Sequence, residues 1–296
     1  MSSKNILSLT MLMLTAIIWG SAFVAQSIGL DSLGPYTFNG LRSFIGGIVL
    51  LLFIKIKDKN TSLKDNKKPL FYGGFFCGLV LFFGSSLQQH GLIYTSVGKA
   101  GFITTLYVVI VPILGLFLKK KVEPKVWLAL MIAVIGMYFL CINESFSINR
   151  GDILLLIGAL FFSIHILLID HYIQFLDGIK LACIQLFVCG TISLFPMALL
   201  ETVTLEKLQL SLAPLLYTGL LSSGIGYTMQ IIAQKNVNPV IASLILSLES
   251  VFSAIAGWLI LKQILSSKEI LGCGLVFFAV ILTQLPILNS RKNSIY

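Results

Sequence analysis

After Pro239 the chain stays apolar for about 22 residues, the length of a helix that crosses a ~30 Å hydrocarbon core. Near the middle of that run stands one acid, Glu249. A carboxylate at the bilayer midplane costs at least ~2.5 kcal/mol to insert, so it is expected to face a cavity or a partner. The run also has an earlier counterpart. A shift of 142 residues lays Gln88 on Gln230, Ala100 on Ala242, Ile103 on Ile245, Leu106 on Leu248, Gly115 on Gly257 and Lys120 on Lys262. Tyr107 then falls where Glu249 stands.

The same register aligns Leu14 with Leu156, Ser21 with Ser163, Gly84 with Gly226 and Leu140 with Leu282. It divides the chain at 1–147 and 148–296 into two copies of one unit. Ten apolar spans can be drawn, at 8–28, 35–55, 70–90, 97–118, 124–142, 151–171, 179–199, 212–233, 239–261 and 268–287. The expected fold is an all-α integral membrane protein with ten transmembrane helices in two five-helix repeats. Five is odd, so the second repeat enters the membrane inverted relative to the first. Inverted repeats typify secondary transporters, whose site lies at the repeat interface near the midplane.

Composition agrees with a membrane class: 57% of residues are hydrophobic and 11% charged, against about 25% charged in soluble domains. The net charge of +9 does not point to nucleic acid, because the basic residues lie in short runs between apolar spans. Fifteen Lys and Arg fall on the side of the N-terminus and five on the other, with Arg42 inside the second span. That bias predicts both termini in the cytoplasm, in the plasma membrane of a bacterial-type cell. The linker Lys57–Lys68 is polar and charged and is expected to be mobile. The five cysteines all lie in apolar spans without CxxC spacing, which favours packing over disulfides or metal. There is no Walker A motif, no HExxH and no nucleophile elbow, and the three histidines share no ligand spacing. No cofactor, metal or enzyme chemistry is expected.

The polar residues inside the spans are the candidates for a substrate pocket. Glu249 is equipped to bind an amine or exchange a proton; the alternative is a structural hydrogen bond to a neighbouring helix. Arg42 suits a substrate carboxylate, a snorkelling contact with outer headgroups, or a permanent structural pairing. If both face one cavity, the pair suits a zwitterion. Gln88 and Gln230 occupy equivalent places. Ser223, Gly226, Gln230 and Gln234 step along span eight as one polar and small face, either wet or hydrogen-bonded between helices. His165 is deep enough for a pocket or a proton relay with Glu249, or for a satisfied interhelical role. Trp19 is too deep for an interfacial belt and fits a pocket wall or plain packing. Tyr107 offers a hydroxyl opposite Glu249 by repeat symmetry, with Thr104 one turn before it. His90 reads as interfacial, and Asp170 as an interfacial or gating charge. Gly74 with Gly78, and Gly219 with Ser223, permit close helix contact. Pro112 predicts a kink in span four that Ala254 would not repeat in span nine.

Several segments carry a family likeness. GLIYTSVGKAGFITTLYVVIVPILG (91–115) and AQKNVNPVIASLILSLESVFSAIAGWLIL (233–261) resemble the EamA family of the drug/metabolite transporter superfamily. IIWGSAFV (17–24), Leu41-Arg42, HILLIDHY (165–172) and Ile184-Gln185 resemble the same family. The resemblance implies a central pocket, adds Gln185 to it, and implies an exporter of amino acids or other small metabolites. The expected partners are a small-molecule substrate and the lipid bilayer, with no nucleic acid, and the small-residue faces allow a homodimer. Two rival readings are a carrier or flippase of lipid-linked or drug-like amphipathic molecules, and a non-transporting membrane scaffold.

Overall fold

The computed structural model describes residues 3–58, 67–119, 122–141, 149–262 and 264–284, and among them there is no β-strand. The first half consists of α1 (Ser3–Leu30), α2 (Pro35–Asp58), α3 (Lys67–Leu92), α4 (Val97–Thr105), α5 (Tyr107–Phe117) and α6 (Pro124–Cys141). The second half opens with α7 (Arg150–Tyr172), α8 (Gly178–Leu200) and the short α9 (Leu205–Leu210). It continues with α10 (Leu212–Leu216), a π-helical segment (Tyr217–Gly226), α11 (Tyr227–Gln234), α12 (Pro239–Leu246), α13 (Leu248–Leu261) and α14 (Ser267–Gln284).

Among the described residues, eight spans are long and apolar enough to cross a membrane. Two of the ten expected spans differ in form. The apolar part of α6 is shorter, at Pro124–Phe139, and the expected 212–233 helix is three consecutive segments with the π-helix at their centre. The linker residues 59–66 lie outside the described residues.

Local chemistry explains the boundaries. Pro35, Pro124 and Pro239 open α2, α6 and α12, where a missing N–H costs nothing. Asn149 and Asp152 form a reciprocal capping box at the start of α7. Asp177 caps α8 through Ile179 N and Lys180 N. The α2 N-terminus is capped from a distance: the Glu201 carboxylate accepts from Tyr36 N at 2.8 Å, and from Thr37 N and Thr37 Oγ1 at 2.7 Å each.

Spans four and nine are both broken near mid-membrane, at Leu106 and Ser247. Neither break falls at Pro112 or Ala254, which lie inside α5 and α13. The reason in span nine is a serine ladder. Ser243, Ser247, Ser250 and Ser253 each donate to the carbonyl three residues back, at 2.7–2.8 Å, and such back-bonding bends helices.

The halves pack reciprocally. Helix α6 lies along α14 and α2 along α8, each pairing an element with its counterpart. α3 packs on α7 and α8, while the π-segment packs on α1 and α2; α13 packs on α1, and α5 on α7. Small residues set the closest approaches. A Cβ on Gly78 would come within 2.6 Å of Gln185 O, and one on Gly219 within 2.7 Å of the Ile45 side chain. Large apolar side chains such as Phe53, Phe71, Phe117, Phe195 and Leu199 are exposed on the outside, as a lipid-facing surface requires.

Candidate functional site

A cavity lies where the two halves meet. Its wall takes Trp19, Phe23 and Gln26 from α1, Arg42 from α2, Gln88 from α3, Thr104 from α4 and Tyr107 from α5. The second half contributes Phe162, His165 and Ile166 from α7, Ser222 from the π-segment, Tyr227 and Gln230 from α11, and Glu249 from the first turn of α13. Eight of the nine sequence candidates therefore share one wall. Gln185 does not: it is buried behind His165, where its Oε1 lies 3.0 Å from His165 Nε2. It holds the imidazole and is not part of this cavity wall.

Arg42 is 4% exposed, buried within the protein. Its guanidinium is cradled by neutral amides. Nη1 donates to Gln26 Oε1 at 2.9 Å, while Nε and Nη2 donate to Asn39 Oδ1 at 3.3 and 3.2 Å. Asn39 is held in turn, its Nδ2 donating to Ser86 Oγ and Ser193 Oγ at 3.3 Å each. No carboxylate neutralises the guanidinium among the described residues. A guanidinium carries five N–H donors, so the two amide oxygens leave some of them for another acceptor.

Glu249 is 3% exposed and has no cationic partner among the described residues. The Tyr107 hydroxyl lies beside it but forms no hydrogen bond of ordinary geometry, and Gln230 Oε1 likewise has no partner among the described residues. Gln88 Nε2 donates to Thr104 Oγ1 at a long 3.4 Å. Tyr227 is close enough to feel the charges of both Arg42 and Glu249. Its ring meets Trp19 at 4.9 Å and His165 edge-on at 5.8 Å. Trp19 Nε1 donates to Ser222 O at 3.2 Å, tying α1 to the π-segment.

The widened turn of that segment changes which residue faces inward. An α-helical step places Ser223 on the face of Gln230, whereas Ser222 is the one that lines the cavity. Gln234 faces α7 instead and donates to Ile166 O at 3.0 Å. Of the residues sequence reasoning missed, Asn39 had a signal, because it stands three positions before Arg42 and shares its helix face. Gln26, Ser222 and Tyr227 come from other helices and had none.

His90 packs on Tyr36 at 4.6 Å and bonds Ser86 O through Nδ1. Asp170 lies in a separate crevice between α5 and α7. Cys77, Cys183, Cys189 and Cys273 are free thiols, while the Cys141 side chain lies outside the described residues. No group of His, Cys, Asp and Glu among the described residues is arranged to hold a metal ion.

This is a multi-pass membrane protein with a polar cavity walled by both of its repeats. The model of the EamA-like transporter family matches it twice, over residues 6–142 and 149–285. The chain belongs to that family, within the drug/metabolite transporter superfamily. A protein of Archaeoglobus fulgidus named only as an uncharacterized transporter is 35% identical over 277 residues, covering 93% of this chain and 85% of the relative. The uncharacterized transporter YoaV of Bacillus subtilis is 25% identical, covering 88% and 90% of the two chains. The uncharacterized inner membrane transporter YedA of Escherichia coli is 25% identical, covering 91% and 88%. A solved crystal structure superposes with a TM-score of 0.77 over 96% of this chain and 99% of that one, at 15% identity, which speaks for the fold.

Proposed function

We propose that this protein is a secondary transporter that exports amino acids or other small polar metabolites by alternating access. In this reading ten spans form two inverted five-helix repeats, divided near 1–147 and 148–296, with both termini in the cytoplasm of a bacterial-type cell. One observation carries it: a buried guanidinium and a buried carboxyl, neither with an ion-pair partner among the described residues, line the same cavity. A buried charge retained without a partner is costly to folding, and a zwitterionic substrate offers each group the partner it lacks. Arg42 would take the carboxylate and Glu249 the amine, with Tyr107, Thr104, Gln88 and Gln230 bonding polar substituents and Trp19 walling the site. Glu249 also serves as the proton-coupling group, with His165, held by Gln185, as its relay. The scaffold reading gives no reason to keep these groups.

The test is flux of a panel of labelled amino acids and amines in proteoliposomes at two pH values. A substrate-specific flux is expected that Glu249→Gln reduces at least tenfold and makes independent of pH. Equal flux and equal pH dependence in the variant would show that Glu249 only bonds its neighbours. The apolar crevice between α5 and α7 favours a second reading, an amphipathic or lipid-linked substrate. Flux of such a molecule with none for any amino acid or amine would establish that reading instead.

A further inference from the structure

Gln26, Asn39 and Arg42 have no polar counterparts in the second repeat. The 142-residue register sets them against Leu168, Leu181 and Ile184. The three polar groups are thus confined to one repeat, and the structure joins them in one network.

Asn39 stands one turn before Arg42 on α2, is fully buried and is not part of the cavity wall. Its Oδ1 accepts from Nε and Nη2 of the guanidinium, while Gln26 Oε1, arriving from α1, accepts from Nη1. A guanidinium only donates, so both amides must turn their oxygens toward it. The other end of Asn39 agrees. Nδ2 donates to Ser86 Oγ of α3 and Ser193 Oγ of α8. Ser193 gives its own proton to Cys189 O at 2.8 Å, which leaves its oxygen free to accept. Two neighbouring helices therefore fix Asn39, and Asn39 fixes Arg42.

The cradle is well built and yet neutral. A buried charge is ordinarily met by an opposite one, but no carboxylate lies within ion-pair distance of Arg42 among the described residues. Amides aim the guanidinium without cancelling its charge. One N–H on Nη1 and one on Nη2 are left for an acceptor, and Arg42 lines the cavity.

We propose that Asn39 and Gln26 determine the class of solute the cavity accepts: their neutrality reserves the charge of Arg42 for a carboxylate on the solute. The proposal rests on the zwitterion reading above. Asn39 touches no solute and is a positioning residue. Replacing either amide by the acid of the same shape supplies an internal counter-ion, and a solute carboxylate then meets a pair already neutral. An amine that lacks the carboxylate loses nothing, because Glu249 is unchanged.

The experiment has two readouts on the full-length protein, each variant first shown to elute as a single monodisperse peak. Sodium formate, the smallest carboxylate, is the first probe, read by the thermal unfolding midpoint in detergent. Formate at ~0.1 M is expected to raise the midpoint of the parent by ~3 °C or more. Asn39→Asp, Gln26→Glu and Arg42→Met should show less than a third of that rise. The second readout is flux above that of protein-free vesicles. Glycine, leucine and phenylalanine are compared with methylamine, isopentylamine and phenethylamine, the same molecules without the carboxylate. The parent should favour the amino acid of its best pair at least tenfold, and Asn39→Asp should favour the amine at least tenfold. A parent that formate does not stabilise overturns the proposal. So does a folded acid variant that formate stabilises as much as the parent, or one that keeps the parent's preference. Failure of both acid variants to fold overturns it too, because neutrality would then serve only the fold. The expected formate pattern with no flux of any of the six solutes upholds the reserved carboxylate site and sinks only the transport reading.

Discussion

The ion pair between Lys99 and Asp152 permits a prediction with worked magnitudes. Lys99 Nζ lies 2.8 Å from Asp152 Oδ2, with the side chains 16% and 9% exposed. The same Oδ2 accepts from Asn149 N at 2.9 Å, and Asn149 Oδ1 accepts from Asp152 N at 2.9 Å. Asp152 thus does two things, pairing a cation on α4 and capping its own helix. At an effective dielectric of ~20, unit charges at this separation attract by about 6 kcal/mol before desolvation and side-chain ordering are subtracted. Exposed pairs retain ~0–1 kcal/mol, whereas breaking fully buried ones costs ~3–5. A pair this little exposed falls between them, at ~2 kcal/mol, and the helix cap adds ~1 kcal/mol. Lys99→Met should therefore cost about 2 kcal/mol and Asp152→Ala about 3. The double variant should cost about 3, leaving a coupling of ~2 kcal/mol. The assay is reversible chemical unfolding in detergent micelles, run as a double-mutant cycle at 0.1 M and ~1 M salt; burial predicts a coupling little weakened by salt. A coupling below ~0.5 kcal/mol, or an Asp152→Ala variant no worse than Lys99→Met, would refute the reasoning.

Other perturbations separate packing from function. Gly78→Ala sets a methyl 2.6 Å from Gln185 O and 2.7 Å from Val188 Cβ, so it should destabilise by ~1–3 kcal/mol; Gly98→Ala meets nothing within 4 Å and should be neutral or stabilising by up to ~1 kcal/mol. Equal unfolding midpoints for the two would dispose of this contrast. Glu201→Gln removes the charge from three short bonds at the α2 N-terminus and should lower stability by ~1–2 kcal/mol; an unchanged midpoint would mean the cap is not needed. Tyr107→Phe deletes a buried hydroxyl without a hydrogen bond, so stability should stay within ~0.5 kcal/mol or rise while substrate affinity falls at least tenfold. A destabilised variant with normal affinity would instead mark the hydroxyl as structural.

The span positions were legible because charges, prolines and polar turns interrupt long apolar runs, a signal that survives without any tertiary knowledge. The meeting of Arg42, Glu249, Gln88 and Gln230 in one cavity was legible for a related reason. Deep polar groups in an apolar helix have nowhere else to go. Gln185 shows the limit of that argument, since depth did not distinguish a side chain facing the cavity from one supporting His165. The π-segment was not legible. The glycines and serines of YTGLLSSGIG read as helix-packing residues and do not signal a widened turn; they answer to α2, where a Cβ on Gly46 would come within 2.9 Å of both Gly219 O and Gly224 N. The break at Ser247 was legible in the spacing of serines 243, 247, 250 and 253, but Pro112 drew attention to the other span. Asn39, three positions before Arg42, was a readable partner; Gln26, arriving from α1, was not.

The cavity leaves about 30 Å³ to the centres of water-sized spheres, room for about two waters. Any solute larger than that binds only to a form in which the helices have parted, so recognition and opening are one event. A measured dissociation constant then contains the opening free energy, and every ~1.4 kcal/mol of opening weakens the apparent affinity tenfold. A solute held in the micromolar range can thus touch the wall as favourably as a nanomolar ligand touches a ready-made site. Modest affinity here measures the stiffness of the helix bundle as much as the quality of the contacts.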